Sequence, residues 1–156
     1  MNTNLTQEQK DYAIFLPAIS GFYATFIGKQ RREEYVEKSR IPFPNNSMES
    51  LNWFNTKEGL FKYHWSLYSA GHAELDINKD APKEDMIRDR DRENSWLLGD
   101  SGGFQIGKGV WEGDWKDPNC PKAKKKREQV LAWMDAYMDY GMILDIPAWV
   151  ARSPAG

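Results

Sequence analysis

Short apolar runs alternate with charged stretches along the chain. Tyr12–Leu16 is a continuous apolar run stopped by Pro17, which predicts a buried strand followed by a loop at Ile19–Phe22. Lys29–Lys38 is charge-rich, with Tyr35 and Val36 as its apolar contacts, and predicts an exposed helix. Two prolines and two asparagines make Ile41–Ser47 a loop. A short helix is expected over Met48–Phe54, then a turn over Asn55–Gly59. Phe61–Tyr68 alternates in part, and its end reads as a second strand, Leu67–Ser69, closing on Ala70-Gly71-His72. The mixed charges of Asn78–Asn94 predict a solvated helix face or a mobile loop. A third strand, Leu97–Gly99, follows. Gly107–Pro121 has no regular period and predicts a long loop, of the kind that can serve as a lid. Lys122–Tyr140 is the clearest helix, with Val130, Met134 and Met138 at i, i+4 and i+8. It feeds a fourth strand, Met142–Leu144, which ends on Asp145.

Apolar strands alternating with helices predict an α/β fold built on a parallel sheet. The 156 residues suffice for one domain with a real core, taken as 1–156. The net charge of −2 gives no global basic field, so any nucleic-acid contact would have to be a local patch. The single cysteine, Cys120, excludes an intrachain disulfide framework and a cysteine-rich zinc site within this sequence. One cysteine, a polar N-terminal segment and no apolar run of membrane-spanning length lead to the expectation of a cytoplasmic protein without membrane contact.

The chemistry concentrates in Leu97-Leu98-Gly99-Asp100-Ser101-Gly102-Gly103-Phe104-Gln105, an apolar strand that stops on a carboxylate and two glycines. Sites in α/β proteins form at such strand ends. A plain turn, with Asp and Ser bonding the local backbone, is the structural alternative. Gly99–Gly103 also looks like the nucleophile loop of trypsin-like serine proteases, with His72 as partner. The chain is too short for that double barrel, has no disulfide pair, and carries Phe104 where that loop has proline. Gly102 to Gly107-Lys108 has P-loop spacing, but Gly109 stands where a Mg²⁺-binding Ser or Thr is required.

Asp-Ser-Gly-Gly-Phe-Gln at a strand end resembles the signature of the queuine/archaeosine tRNA-guanine transglycosylases. It is similar also to their relatives in phages and bacteria that insert 7-deazaguanines into DNA. Tyr140-Gly141-Met142-Ile143-Leu144-Asp145 resembles the family's next strand, which also ends in a carboxylate. The resemblance implies about the first half of a (β/α)₈ TIM barrel, since a complete one needs about 250 residues. It implies a pentosyltransferase reaction in which guanine in DNA or tRNA is exchanged for a 7-deazaguanine, as in queuosine formation. Asp100 then matches the acid/base aspartate. Ser101, Gly102, Gly103 and Gln105 match residues lining the base pocket, and Asp145 the carboxylate that accepts from the guanine N1–H and amino group. An ionised carboxylate suits two parallel donors because it only accepts.

The family's nucleophilic aspartate lies on a later strand, and its zinc site lies beyond the position of residue 156. No cofactor or metal is therefore expected in this chain, and the isolated chain is expected to be incomplete as an enzyme. A half-barrel has open edges, so a second chain or a C-terminal half is the expected partner, alongside the base and the nucleic acid. The rival reading is a non-catalytic guanine- or nucleic-acid-binding partner or scaffold subunit.

The remaining candidates keep two readings each. Asp145 precedes Ile-Pro and could cap a turn. Lys124, Lys125, Lys126 and Arg127 could contact phosphates or form a solvated helix face. His64 and His72 read as satisfied polar residues. Trp111 and Trp115 suit packing in the core or lid, or stacking on bases.

Overall fold

The computed structural model describes residues 13–33 and 35–152. Its strands are β1 (Trp65–Ser69), β2 (Trp96–Asp100) and β3 (Tyr140–Gly141). They form one parallel sheet in the order β1-β2-β3, so the fold is mixed α/β. The helices are α1 (Gly21–Arg32), α2 (Asp85–Arg88), α3 (Gly103–Gly107), α4 (Pro121–Tyr137) and α5 (Ala148–Arg152), with 3₁₀ turns between them. The chain divides into two compact units, one drawn from Met1–Tyr68 and Asp80–Leu97, the other from Ser69–Lys79 and Leu98–Gly156.

In the first unit, the apolar run expected as a strand does not form one. Tyr12 lies outside the described residues, and Ala13–Leu16 are irregular. Pairing is confined to a parallel bridge between Ala18 and Leu67. Leu67 N–H donates to the Pro17 carbonyl at 3.0 Å, and Ile19 N–H donates to the Leu67 carbonyl at 2.8 Å. The next rung upstream would need a Pro17 N–H, which proline lacks.

Ile19–Phe22, expected as a loop, holds the start of α1. Ser20 caps that helix, its Oγ accepting from Tyr23 N–H at 3.1 Å. The helix expected over Lys29–Lys38 therefore begins earlier and stops at Arg32. The Gln30 amide explains the stop. It donates to the Val36 carbonyl at 2.9 Å and accepts from Val36 N–H at 2.8 Å, turning the chain back.

The buried face of α1 consists of Ala24, Ile27 and Gly28. Gly28 abuts the Pro82 carbonyl so closely that a Cβ would overlap it. The charged stretch Asn78–Asn94 is held by this helix instead of being wholly solvated. Arg32 bonds Asp85 through two nitrogens, at 2.6 and 2.8 Å, and Asp80 at 2.6 Å. Arg31 reaches Glu49 and Asp89. Met86 and Ile87 of α2 are buried.

In the second unit, the register pairs Leu98 with Tyr140 and Gly99 with Gly141. Both glycines lie beneath α4. A Cβ at Gly99 would stand 2.8 Å from Met138 Cγ, and one at Gly141 would stand 2.7 Å from Met134 Sδ. The apolar periodicity of that helix thus meets a surface without side chains. The fourth strand is shorter than expected and lies upstream of Met142–Leu144. Met142 N–H still donates to the Gly99 carbonyl, at 2.9 Å. Beyond it, β2 ends at Asp100 and the chain turns into α3, so Ile143 and Leu144 find no ladder on β2.

Burial would raise the Glu49 carboxyl, but hydrogen bonds from Arg31, Asn55 and Asn52 outweigh it and hold it below the ordinary glutamate value. A depressed carboxylate contributes stability above its unfolded pKa and loses it as pH falls through the folded one. Acidification below pH 4.5, the ordinary glutamate value, is therefore expected to weaken the first unit. Urea unfolding across that range should show the loss, and Glu49→Gln should flatten it. An unchanged slope in the variant would place the acid sensitivity elsewhere.

Candidate functional site

The site residues read from sequence all fall in the second unit. Asp100 is the last residue of β2 and is half-buried. Ser101 is buried, and its Oγ accepts a hydrogen bond from Asp145 N–H at 3.3 Å. Gly102 has φ +82°, a left-handed conformation that glycine adopts without a Cβ penalty. This residue turns the chain from strand to α3. Gly103 opens that helix against the Asp145 backbone, where a Cβ would overlap the Asp145 carbonyl oxygen. The Asp-Ser-Gly-Gly stretch and the segment carrying Asp145 are thus joined by one hydrogen bond and one close backbone contact. Asp145 is exposed, in the irregular segment after β3.

Gln105 projects from α3 across Gly71, in the turn after β1. A Cβ on Gly71 would overlap the Gln105 amide. The amide's Oε1 is buried without a hydrogen-bond partner among the described residues. An unpaired buried acceptor costs about 1–3 kcal/mol, so a donor arriving there would be favoured. Phe104 points the other way, is 65% exposed, and carries the Lys108 ammonium 5.4 Å from its ring centre. His72, at the end of the Ala70–His72 turn, is exposed. His64, in the first unit, is also exposed and donates from Nδ1 to the Asn94 carbonyl at 2.7 Å.

The long loop after α3 is packed as well as irregular. Trp111 and Trp115 are buried, and Trp115 Nε1 donates to the Trp111 carbonyl at 3.0 Å. The Trp111 ring edge lies 2.5 Å from where a Gly102 Cβ would be. Lys126 lies 5.3 Å over the Trp111 ring, and Arg127 5.9 Å over that of Trp115. Arg127 also donates to the Pro118 carbonyl at 2.8 Å. Lys124 and Lys125 are exposed. Cys120 ends this loop. Backbone N–H groups of Ala123, Asp114 and Lys122 point at its sulfur and lower the thiol pKa.

Sequence reasoning did not anticipate three features. Gly71 shapes the Gln105 side of the site, and a glycine just past a strand end was the available signal. Trp149 lays its ring against Gly107, with Cζ2 2.6 Å from a would-be Cβ. In the first unit, a cavity of about 290 Å³ is lined by Gln30, Arg31, Asn45, Asn46, Ser47 and Glu49, among others. Asn45 and Asn46 both have positive φ there, within the segment expected to be a loop.

Among the described residues, no group of three or more His, Cys, Asp or Glu side chains is placed to hold a metal ion. No helix among them is long and apolar enough to cross a membrane. Comparison with protein-family models, curated proteins and solved structures finds no match to this chain.

The Ser101–Asp145 bond has a direct test. Ser101→Ala removes one acceptor, and a neutral hydrogen bond contributes about 0.5–1.5 kcal/mol. The Asp145 amide proton is expected to exchange with solvent up to about tenfold faster in the variant. Unchanged exchange, read by NMR, would mean that the loops are held together without this bond.

Proposed function

We propose that this chain is the nucleobase-recognising half of a transglycosylase-like (β/α)₈ barrel acting on guanine in DNA or tRNA. The observation that carries the reading is the Ser101–Asp145 hydrogen bond. It brings the two sequence matches to the family together beyond the C-terminal ends of parallel strands. Parallel pairing of β2 and β3 supports the same reading.

In this reading, Asp145 accepts from the N1–H and exocyclic amino group of guanine. Gln105 supplies the buried acceptor that lacks a donor. Gly102 and Gly103 let the Trp111 ring and the Asp145 backbone close in on the end of β2. Asp100 moves the proton: as a carboxylate it takes one from the incoming base, and as a carboxylic acid it gives one to the departing base. Attack on C1′ of the nucleoside needs a nucleophile, which the family places on a later strand. A partner chain or a C-terminal half would supply it.

The exposure of the β3 edge is consistent with such a partner. Tyr140 and Met142 are about half exposed there, and Ile143 is 93% exposed. A further parallel strand alongside would cover them. Base exchange by the completed barrel requires both halves, whereas a non-catalytic base-binding subunit would need only this one.

Thermal-shift or calorimetric titration with guanine, 7-deazaguanine and adenine separates a working pocket from a turn. Adenine lacks the N1–H donor. Losing one charge-assisted hydrogen bond costs about 1.5–3 kcal/mol, so guanine is expected to bind roughly tenfold to a hundredfold tighter than adenine. Asp145→Ala should remove most of that preference, and Asp100→Ala should leave most of it. Equal binding of all three bases, or a preference that survives Asp145→Ala, would make both carboxylates turn residues.

A further inference from the structure

The N-terminal third of α4 carries five cations within six residues, Lys122 and Lys124 to Arg127, and its first turn holds no acid. A helix N-terminus already bears partial positive charge, which makes this the costly end for lysines. The structure sorts the five by what they do. Lys122 pairs with Glu112 at 2.7 Å. Lys126 and Arg127 lie over Trp111 and Trp115 and clasp the long loop to the helix. Lys124 and Lys125 are exposed and make no ion pair among the described residues, although Glu128 lies one turn on.

The nearby loop carboxylates are engaged with backbone. Asp114 accepts from Lys116 N–H at 3.0 Å, and Asp117 from Asn119 N–H at 2.9 Å. These carboxylates keep their charge, yet Lys108 to Glu128 holds seven Lys and Arg against four Asp and Glu, a local positive excess in a protein whose net charge is −2. The same clasped loop places Trp111 against Gly102 in the Asp-Ser-Gly-Gly stretch. The basic surface is thus tied by direct packing to the candidate base site.

We infer that Lys124 and Lys125 form a phosphate-contact tract that holds the backbone of a nucleic acid while one of its bases is presented to the Asp100–Asp145 site. Lys126 and Arg127 are positioning residues in this scheme, fixing the Trp111 loop between tract and site. The inference rests on the base-exchange reading for the identity of the polyanion, but its electrostatics can be tested separately.

The test is fluorescence anisotropy with three labelled probes, at several salt concentrations: a short DNA duplex, the same sequence single-stranded, and an RNA hairpin. Each phosphate contact contributes about 0.9 to the slope of log affinity against log salt for duplex DNA and about 0.7 for single strands. The double variant Lys124→Gln/Lys125→Gln should lower the slope by about 1.8 on duplex or about 1.4 on a single strand. Its thermal midpoint and guanine binding should match the parent's. The charge-matched control Lys62→Gln/Lys83→Gln, at exposed positions in the first unit, should leave the slope unchanged. The probe with the largest difference between parent and double variant identifies DNA or RNA as the source of the phosphates. No oligonucleotide binding by the parent, an unchanged slope in the double variant, or an equal fall in the control would overturn the tract. Retention of the slope difference in a protein that ignores guanine would overturn the base-exchange reading alone.

Discussion

The candidate site depends on close backbone approach at positions that have no side chain. Gly103 lets the Asp145 carbonyl in, Gly102 lets the Trp111 ring in, and Gly71 leaves room for the Gln105 amide. A methyl group at any of them would push one wall of the site outward. Gly102 also supplies the left-handed turn that ends β2 and starts α3. The site can therefore be small and well defined although Asp145 comes from an irregular segment. The Ser101–Asp145 hydrogen bond fixes that segment where strand pairing has already ended.

The same device recurs beneath the sheet. Gly99 and Gly141 pair in register, and Met134 of α4 and Met138 at its C-cap fill the space against them. Methionine suits such a surface because its unbranched chain adapts to irregular gaps. The helix held in this way carries the cations near its other end, and two of them reach back over the tryptophans. Within the second unit, the Leu98–Asp100 end of β2, β3, α4, the loop and the candidate site form a continuous set of contacts.

Much of this was legible in the sequence where one physical signal dominated. The apolar run ending in Gly-Asp gave β2, and the i, i+4, i+8 spacing of Val130, Met134 and Met138 gave α4 to within a few residues. The element boundaries missed were set by single side chains or by absent groups. Pro17 removes the donor that would have continued the first strand. Gln30 binds Val36 and ends α1 early. Apolar periodicity carries neither effect. The charged stretch after Asn78 looked solvated because its partners, Arg31 and Arg32, lie some fifty residues upstream. At the site, residue types and chain order were readable, whereas the Gln105–Gly71 contact depends on a turn whose placement no local pattern encodes.

The proposed base site joins Asp145, Gln105 and the Asp-Ser-Gly-Gly stretch in one guanine-reading surface. The most direct measurement is an NMR titration of the labelled chain with guanine, following the backbone amides of Ser101, Gly103 and Asp145 and the side-chain amide of Gln105. If they form that surface, saturable shifts are expected at these four positions, with one common dissociation constant. Shifts absent at the Gln105 amide and at Asp145, or centred in the first unit, would contradict it.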